Sequence, residues 1–140
     1  MALTASALTV GQQFSDVVIK NLSRTQIVMY AGSSGDYNPV HTDNEFVTKV
    51  AGYPGVFAHG MLTMGATGKL LTDTVGDGRL TKYGVRFVKQ VWPGDTLTAT
   101  ATVTAIRQED GQHLVDLDVV TTNQNGEAVV TGSVTARIDA

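Results

Sequence analysis

The sequence predicts an α+β domain: a curved antiparallel sheet of five or so strands, helices ahead of most of the sheet, and one principal helix buried against it. Three observations carry this. Over residues 96–106, Leu97, Ala99, Ala101, Val103 and Ala105 alternate with threonines, the period of two of a strand with one apolar and one hydroxyl-lined face. Asp110-Gly111 and Asn125-Gly126 then separate consecutive extended runs with residues that tolerate positive φ, which implies antiparallel hairpins. Helix-start signals, by contrast, fall only within the first half of the chain.

Taken in order, residues 14–20 form a weak strand pattern. Ser23-Arg24-Thr25-Gln26 fits a capping box, with Gly32 suited to end the helix after Ile27, Val28, Met29 and Tyr30. Thr42-Asp43-Asn44-Glu45 fits a second box, with Phe46, Val47 and Val50 on one side and Gly52 as the stop. A longer helix is expected over residues 59–74, with Met61, Leu62, Met64, Ala66, Leu70 and Leu71 as its apolar positions. Glycine inside a helix costs about 1 kcal/mol relative to alanine. Close packing on the sheet is therefore expected at Gly65 and Gly68. Strands follow over residues 82–91, closed by Pro93-Gly94, then 96–106 and 114–122. A last one has Val130, Val134, Ala136 and Ile138 on its apolar side.

At 140 residues the chain is sized for one domain, residues 1–140. It has no cysteine, which excludes disulfides, thiolate metal centres and a cysteine nucleophile. A net charge of −3 offers no basic field for nucleic acid. No run is long enough to cross a membrane as a helix. Nor does the N-terminal stretch have the basic start and apolar core of a secretory leader, so a cytoplasmic location is expected. Charged residues are only 16% of the chain, against about 25% in an average domain. The surface should therefore be unusually neutral, or partly covered by another chain.

Two runs concentrate the chemistry. Between the two short helices lies Gly35-Asp36-Tyr37-Asn38-Pro39-Val40-His41. Pro39 stiffens it and biases Asn38 toward extended backbone, so Asp36 and His41 can converge only if the segment folds back. A carboxylate beside an imidazole is a general acid/base pair. On spacing alone the plainer alternative is an Asx-turn at Asp36 and a backbone-satisfied His41. A metal site from His41, Asp43 and His59 has too few ligands to rank beside either. His113, after a hairpin turn, reads as a solvated strand residue. In the second run, Ala58-His59-Gly60-Met61, a helix start aims free N–H groups and a positive dipole end forward, and Gly60 lets a ligand oxygen approach. His59 reads there as a buried histidine at the helix cap.

In these two runs the chain resembles the MaoC-like (R)-specific enoyl-thioester hydratases and dehydratases of the hot-dog fold. Gly35-Asp36-x-Asn38-Pro39-x-His41 matches the family's hydratase motif, and Ala58-His59-Gly60-Met61-Leu62 the start of its central helix. Tyr83-x-Val85-Arg86-Phe87 and Pro93-Gly94-Asp95-Thr96-Leu97 match weaker strand signatures. The resemblance covers nearly the whole chain. Its wording is most similar to the B-subunit branch of actinobacterial (3R)-hydroxyacyl-acyl-carrier-protein dehydratases.

The resemblance implies an antiparallel sheet wrapped round one long helix, working as a dimer whose sheets join edge to edge. The partner would be an identical chain or a related hot-dog chain. The implied reaction is reversible addition of water to the C2=C3 bond of a 2-enoyl thioester on CoA or acyl carrier protein. Asp36 and His41 would be catalytic, and the Gly60 N–H would polarise the thioester carbonyl. Asn38 and Pro39 would support the loop, with His59 behind the pair, and neither metal nor cofactor is required. Two other functions stay open on this fold. One is a non-catalytic acyl-thioester-binding subunit of a heterodimeric dehydratase. The other is a thioesterase, which expects a carboxylate on the central helix, where only Asp73, near its end, is available.

Overall fold

A computed structural model describes residues 3–140; Met1 and Ala2, where the expected domain begins, lie outside them. Five strands form one antiparallel sheet in the order β1-β3-β4-β5-β2: β1 (Gln13–Ile19), β2 (Leu80–Phe87), β3 (Leu97–Glu109), β4 (Gln112–Thr122) and β5 (Ala128–Ile138). The helices α1 (Arg24–Ser34) and α2 (Asn44–Lys49) precede the long α3 (Gly60–Val75), which the sheet wraps. No helix among the described residues is long and apolar enough to cross a membrane.

The alternation in β3 is realised as Leu97, Ala99, Ala101 and Val103, all buried. Their small side chains let α3 lie close to the sheet. A register shift between Val103 and Ala105 then reverses the phase, and Ile106, not Ala105, packs toward the core. On the outer face hydroxyls and amides pair across strands. Ser15 bonds Thr100 at 2.9 Å, and the Gln13 amide donates to Thr102 at 3.2 Å. This hydroxyl ladder is a polar surface without charge, and it accounts for part of the low charge content.

Two apolar clusters surround α3. Under its C-terminal half, Leu71 and Val75 meet Val103, Val115, Leu117 and Val134. Nearer its N-terminus, Ile19, Leu22, Ile27, Ala58, Val91 and Val129 join α1 to the sheet. Inside the core the Thr67 and Thr121 hydroxyls bond each other at 2.6 Å, tying α3 to β4. From β2, the Tyr83 hydroxyl donates to the Met64 carbonyl at 2.8 Å, and burial pushes that phenol up to about 12.

Several expected boundaries move for identifiable reasons. α1 passes through Gly32 and ends at Gly35, which takes the left-handed conformation (φ 75°) and returns its N–H to the Ala31 carbonyl. The Ser23 capping box is present as expected. α2 is capped by Asp43, not Thr42: its Oδ1 accepts the N–H groups of Glu45 and Phe46. β2 stops at Phe87 instead of continuing to residue 91. Residues 88–91 leave the ladder because Val88 donates to Val129 and the Val91 carbonyl takes the Ala58 N–H, anchoring the start of α3. The close packing expected at Gly68 is an ordinary contact, with the Tyr83 ring 3.4 Å from the position of its absent Cβ, and Gly65 faces open space.

Gly132 is where the sheet itself leaves no room. It occupies the inward phase between Val130 and Val134, and a Cβ there would lie 2.3 Å from the Gly84 carbonyl oxygen of β2. That oxygen is backbone and cannot yield without unpairing the β2–β5 edge. Gly132→Ala should therefore cost about 2 kcal/mol or more, read as a lower denaturant midpoint. An unchanged midpoint would contradict this packing.

Candidate active site

The run from Ser34 to His41 folds back through successive local hydrogen bonds. The Ser34 hydroxyl accepts the Asp36 N–H (3.2 Å), Asp36 Oδ1 accepts the Asn38 N–H (3.2 Å), and Asn38 Oδ1 accepts the Val40 N–H (3.2 Å). Pro39 opens the 3₁₀ turn Pro39–His41, with Asn38 as its cap. Each bond forces a reversal, so Asp36 stays at the surface while His41 turns inward and is only 8% exposed.

His41 is held by backbone. Its Nδ1 lies 2.6 Å from the Phe57 carbonyl, which can only accept, so Nδ1 carries the proton and Nε2 of the neutral ring keeps its lone pair. His59, almost fully buried, is the N-cap of α3. Its Nε2 donates to the Asp36 carbonyl at 3.0 Å, and its ring stacks on His41 with centroids 3.8 Å apart and planes 24° from parallel. Tyr30 of α1 closes the other side of His59 edge-on at 4.8 Å. His59 thus fixes the backbone of Asp36 and backs the ring of His41. Phe57 and Tyr30 are the contributors the sequence did not reveal. A backbone carbonyl leaves no residue-type signal, and Tyr30 looks like any apolar position of a short helix.

A carboxylate oxygen of Asp36 and ring nitrogens of His41 and His59 all lie within 4.8 Å of one another. No direct bond joins the Asp36 carboxylate to His41 among the described residues. Two ordinary hydrogen bonds of about 2.8 Å meeting at a tetrahedral oxygen span about 4.6 Å, which falls within that limit. Among the described residues, these three groups are the one set of histidine and carboxylate side chains close enough together to share a metal ion. Asp43, considered from the sequence, is occupied in capping α2. One nitrogen of each histidine already donates to a carbonyl, so each ring has one nitrogen left to offer. That leaves three donors, one short of the four of a closed tetrahedral site.

Next to this cluster α3 begins at Gly60 with no side-chain cap on its first turn, leaving donors and the positive dipole end open. A cleft of about 300 Å³ starts at Gly60 and Thr63 and is walled by Phe57, Phe87, Val88, Val91, Val129 and Val130. Asp36 and His41 do not line it; they adjoin it through residues 57–59. His113 stays apart, bonded to the Gln108 amide at 2.9 Å.

A sheet wrapped on one helix defines a hot-dog domain, here with a carboxylate and an imidazole near the open helix end beside a mainly apolar cleft. The chain belongs to the MaoC-like domain family, whose model matches residues 5–125. It is similar to 3-hydroxyacyl-thioester dehydratase Y of Mycobacterium tuberculosis, 43% identical over 46% of this chain and 23% of that protein. It is also 35% identical to the (R)-specific enoyl-CoA hydratase of Rhodospirillum rubrum, over 64% of this chain and 63% of that protein. Among solved structures, the (R)-hydratase of A. caviae involved in PHA biosynthesis superposes with a TM-score of 0.81 at 28% identity, covering 94% of this chain and 98% of that one. The chain thus spans about a quarter of the length of the M. tuberculosis relative.

Burial lowers the His41 pKa from the ordinary imidazole value; the Phe57 carbonyl and Asp36 carboxylate oppose this, and the neighbouring His59 adds to it. In an NMR titration His41 should therefore protonate below about 6.5. Asp36→Asn removes one of the opposing influences and should lower that midpoint further. A His41 midpoint above 6.5, or a rise in the variant, would contradict this electrostatic balance.

Proposed function

We propose that the protein is a hydro-lyase that reversibly adds water across the C2=C3 bond of a 2-enoyl thioester to give the (3R)-hydroxyacyl thioester. The observation that carries this is the grouping of the Asp36 carboxylate and the His41 ring, within 4.8 Å, beside the uncapped helix end at Gly60.

In hydration, the water sits between Asp36 and His41 and its oxygen forms the bond to C3. One of its protons passes through the pair to C2, so the dyad returns to its starting state and no net proton is needed. The neutral Nε2 of His41 is a competent acceptor at neutral pH, while Asp36 orients the water; the pair acts as one coupled unit. As C3 is attacked, negative charge moves onto the thioester oxygen. The Gly60 N–H and the dipole of α3 stabilise it there. Dehydration runs the same steps backward. Asn38 and Pro39 hold the loop in the register that groups the pair.

The substrate is a thioester of CoA or acyl carrier protein, its acyl chain in the cleft, acted on in the cytoplasm and without a further cofactor. The functional unit is a dimer with an identical or a related hot-dog chain. In support, β2 is a terminal strand of the sheet, and Phe87 and Val88 at its end are about half exposed, with Met61 of α3 also exposed. A thioesterase finds less support. Asp73 is exposed, paired with Lys69 at 2.5 Å, and lies at the far end of α3 from Gly60.

The purified chain, with any chain that co-purifies, should hydrate crotonyl-CoA to the (3R)-alcohol by chiral product analysis. Asp36→Asn and His41→Ala should each lose about 10²–10⁴-fold in kcat with an unchanged far-UV spectrum. Full activity in either variant would remove the dyad from the mechanism.

A further inference from the structure

Gly60 does not owe its glycine to backbone strain, since it begins an ordinary helix, and only glycines elsewhere in the chain take positive φ among the glycines. What occupies the place of its side chain is an aromatic ring. Phe87 Cδ1, Cε1 and Cγ lie 3.0, 3.1 and 3.2 Å from the position a Cβ at residue 60 would take. Along β2 two rings thus rest on two glycines of α3: Tyr83 on Gly68 and Phe87 on Gly60. The two differ in kind. Tyr83 is half-buried and tied by its hydroxyl to the Met64 carbonyl, a structural contact. Phe87 has no polar tether, is 49% exposed, and together with Gly60 lines the cleft.

We propose that Phe87 is a specificity-determining residue. Its ring, seated on Gly60, narrows the slot that holds the thioester carbonyl and C2, so the site accepts enoyl thioesters unsubstituted at C2 and rejects those branched there. This rests on the hydratase reading above. An enoyl thioester is conjugated and flat. With its carbonyl oxygen on the Gly60 N–H, C2 is two bonds from that oxygen and lies beside the Phe87 ring. A hydrogen on C2 fits such a slot, whereas a methyl group meets the ring.

The test compares kcat/KM for crotonyl-CoA and 2-methylcrotonyl-CoA in the wild-type protein and in Phe87→Ala, so that the lower intrinsic reactivity of the branched substrate cancels. The wild-type preference for crotonyl-CoA should shrink by about tenfold in the variant, the scale set by one methyl group in an apolar pocket. Gly60→Ala, which keeps the N–H but displaces the ring, should cost more activity in the wild-type background than in the Phe87→Ala background. Thermal midpoints check folding, and Phe87→Leu serves where Phe87→Ala unfolds. The same preference in wild type and variant, with crotonyl-CoA still hydrated, overturns the role of Phe87 alone. A wild-type protein that hydrates neither thioester overturns the hydratase reading and this proposal with it.

Discussion

The site depends on one buried imidazole. His59 stands at the junction of helix, loop and cleft. Its Nε2 fixes the Asp36 backbone, its face supports His41, and its own backbone position is the cap from which α3 starts. Burying a polar ring is costly unless it is hydrogen-bonded; here Nε2 makes a bond that reaches across to the loop that carries the carboxylate, while the buried Nδ1 has no partner among the described residues. The geometry of Asp36 and His41 is therefore set by the position of a helix terminus, which is rigid, rather than by the loop alone.

That rigidity has a source in the core. α3 contains glycines that weaken it as an isolated helix, and it is stable because the sheet closes round it. Small alanines in β3, the Thr67–Thr121 bond and the Tyr83–Met64 bond seat the helix at fixed depth. Residues 88–91 then hold the chain just ahead of its N-cap, through the Ala58 N–H to the Val91 carbonyl at 2.8 Å. The early end of β2 and the placing of the active-site helix are the same structural event.

Much of the fold was legible because its signals are local. Period-two alternation, Asp-Gly and Asn-Gly turns and the Ser23 box each act within a few residues, and they located the last three strands and α1. What failed were choices between neighbouring candidates. Gly32 and Gly35 can both end a helix, and Thr42 and Asp43 can both cap one. The bulge at residues 103–105 depends on the partner strand, so it left no trace in β3 itself. Within the site, Asp36, His41 and Gly60 stood out by residue type and motif. Phe57 acts through a carbonyl and Phe87 through a ring lying on a distant glycine, so neither could be read from its own position.

By itself, the sequence determined the chemistry available: no thiols, no basic field, a carboxylate and an imidazole on one short stiffened loop, and a glycine opening a helix. It also determined the alternating strands and hairpins that make an antiparallel sheet. The tertiary structure decided which groups meet. The tautomer of His41, the nearness of the Asp36 carboxylate to it and the ring over Gly60 all arise from contacts between elements remote in the chain, set by how deeply α3 sits in the sheet. The low charge content, first a hint of a covered or neutral surface, is answered in part by the cross-strand hydroxyl ladder. Hydrogen bonds between strands do there what ions do on most protein surfaces.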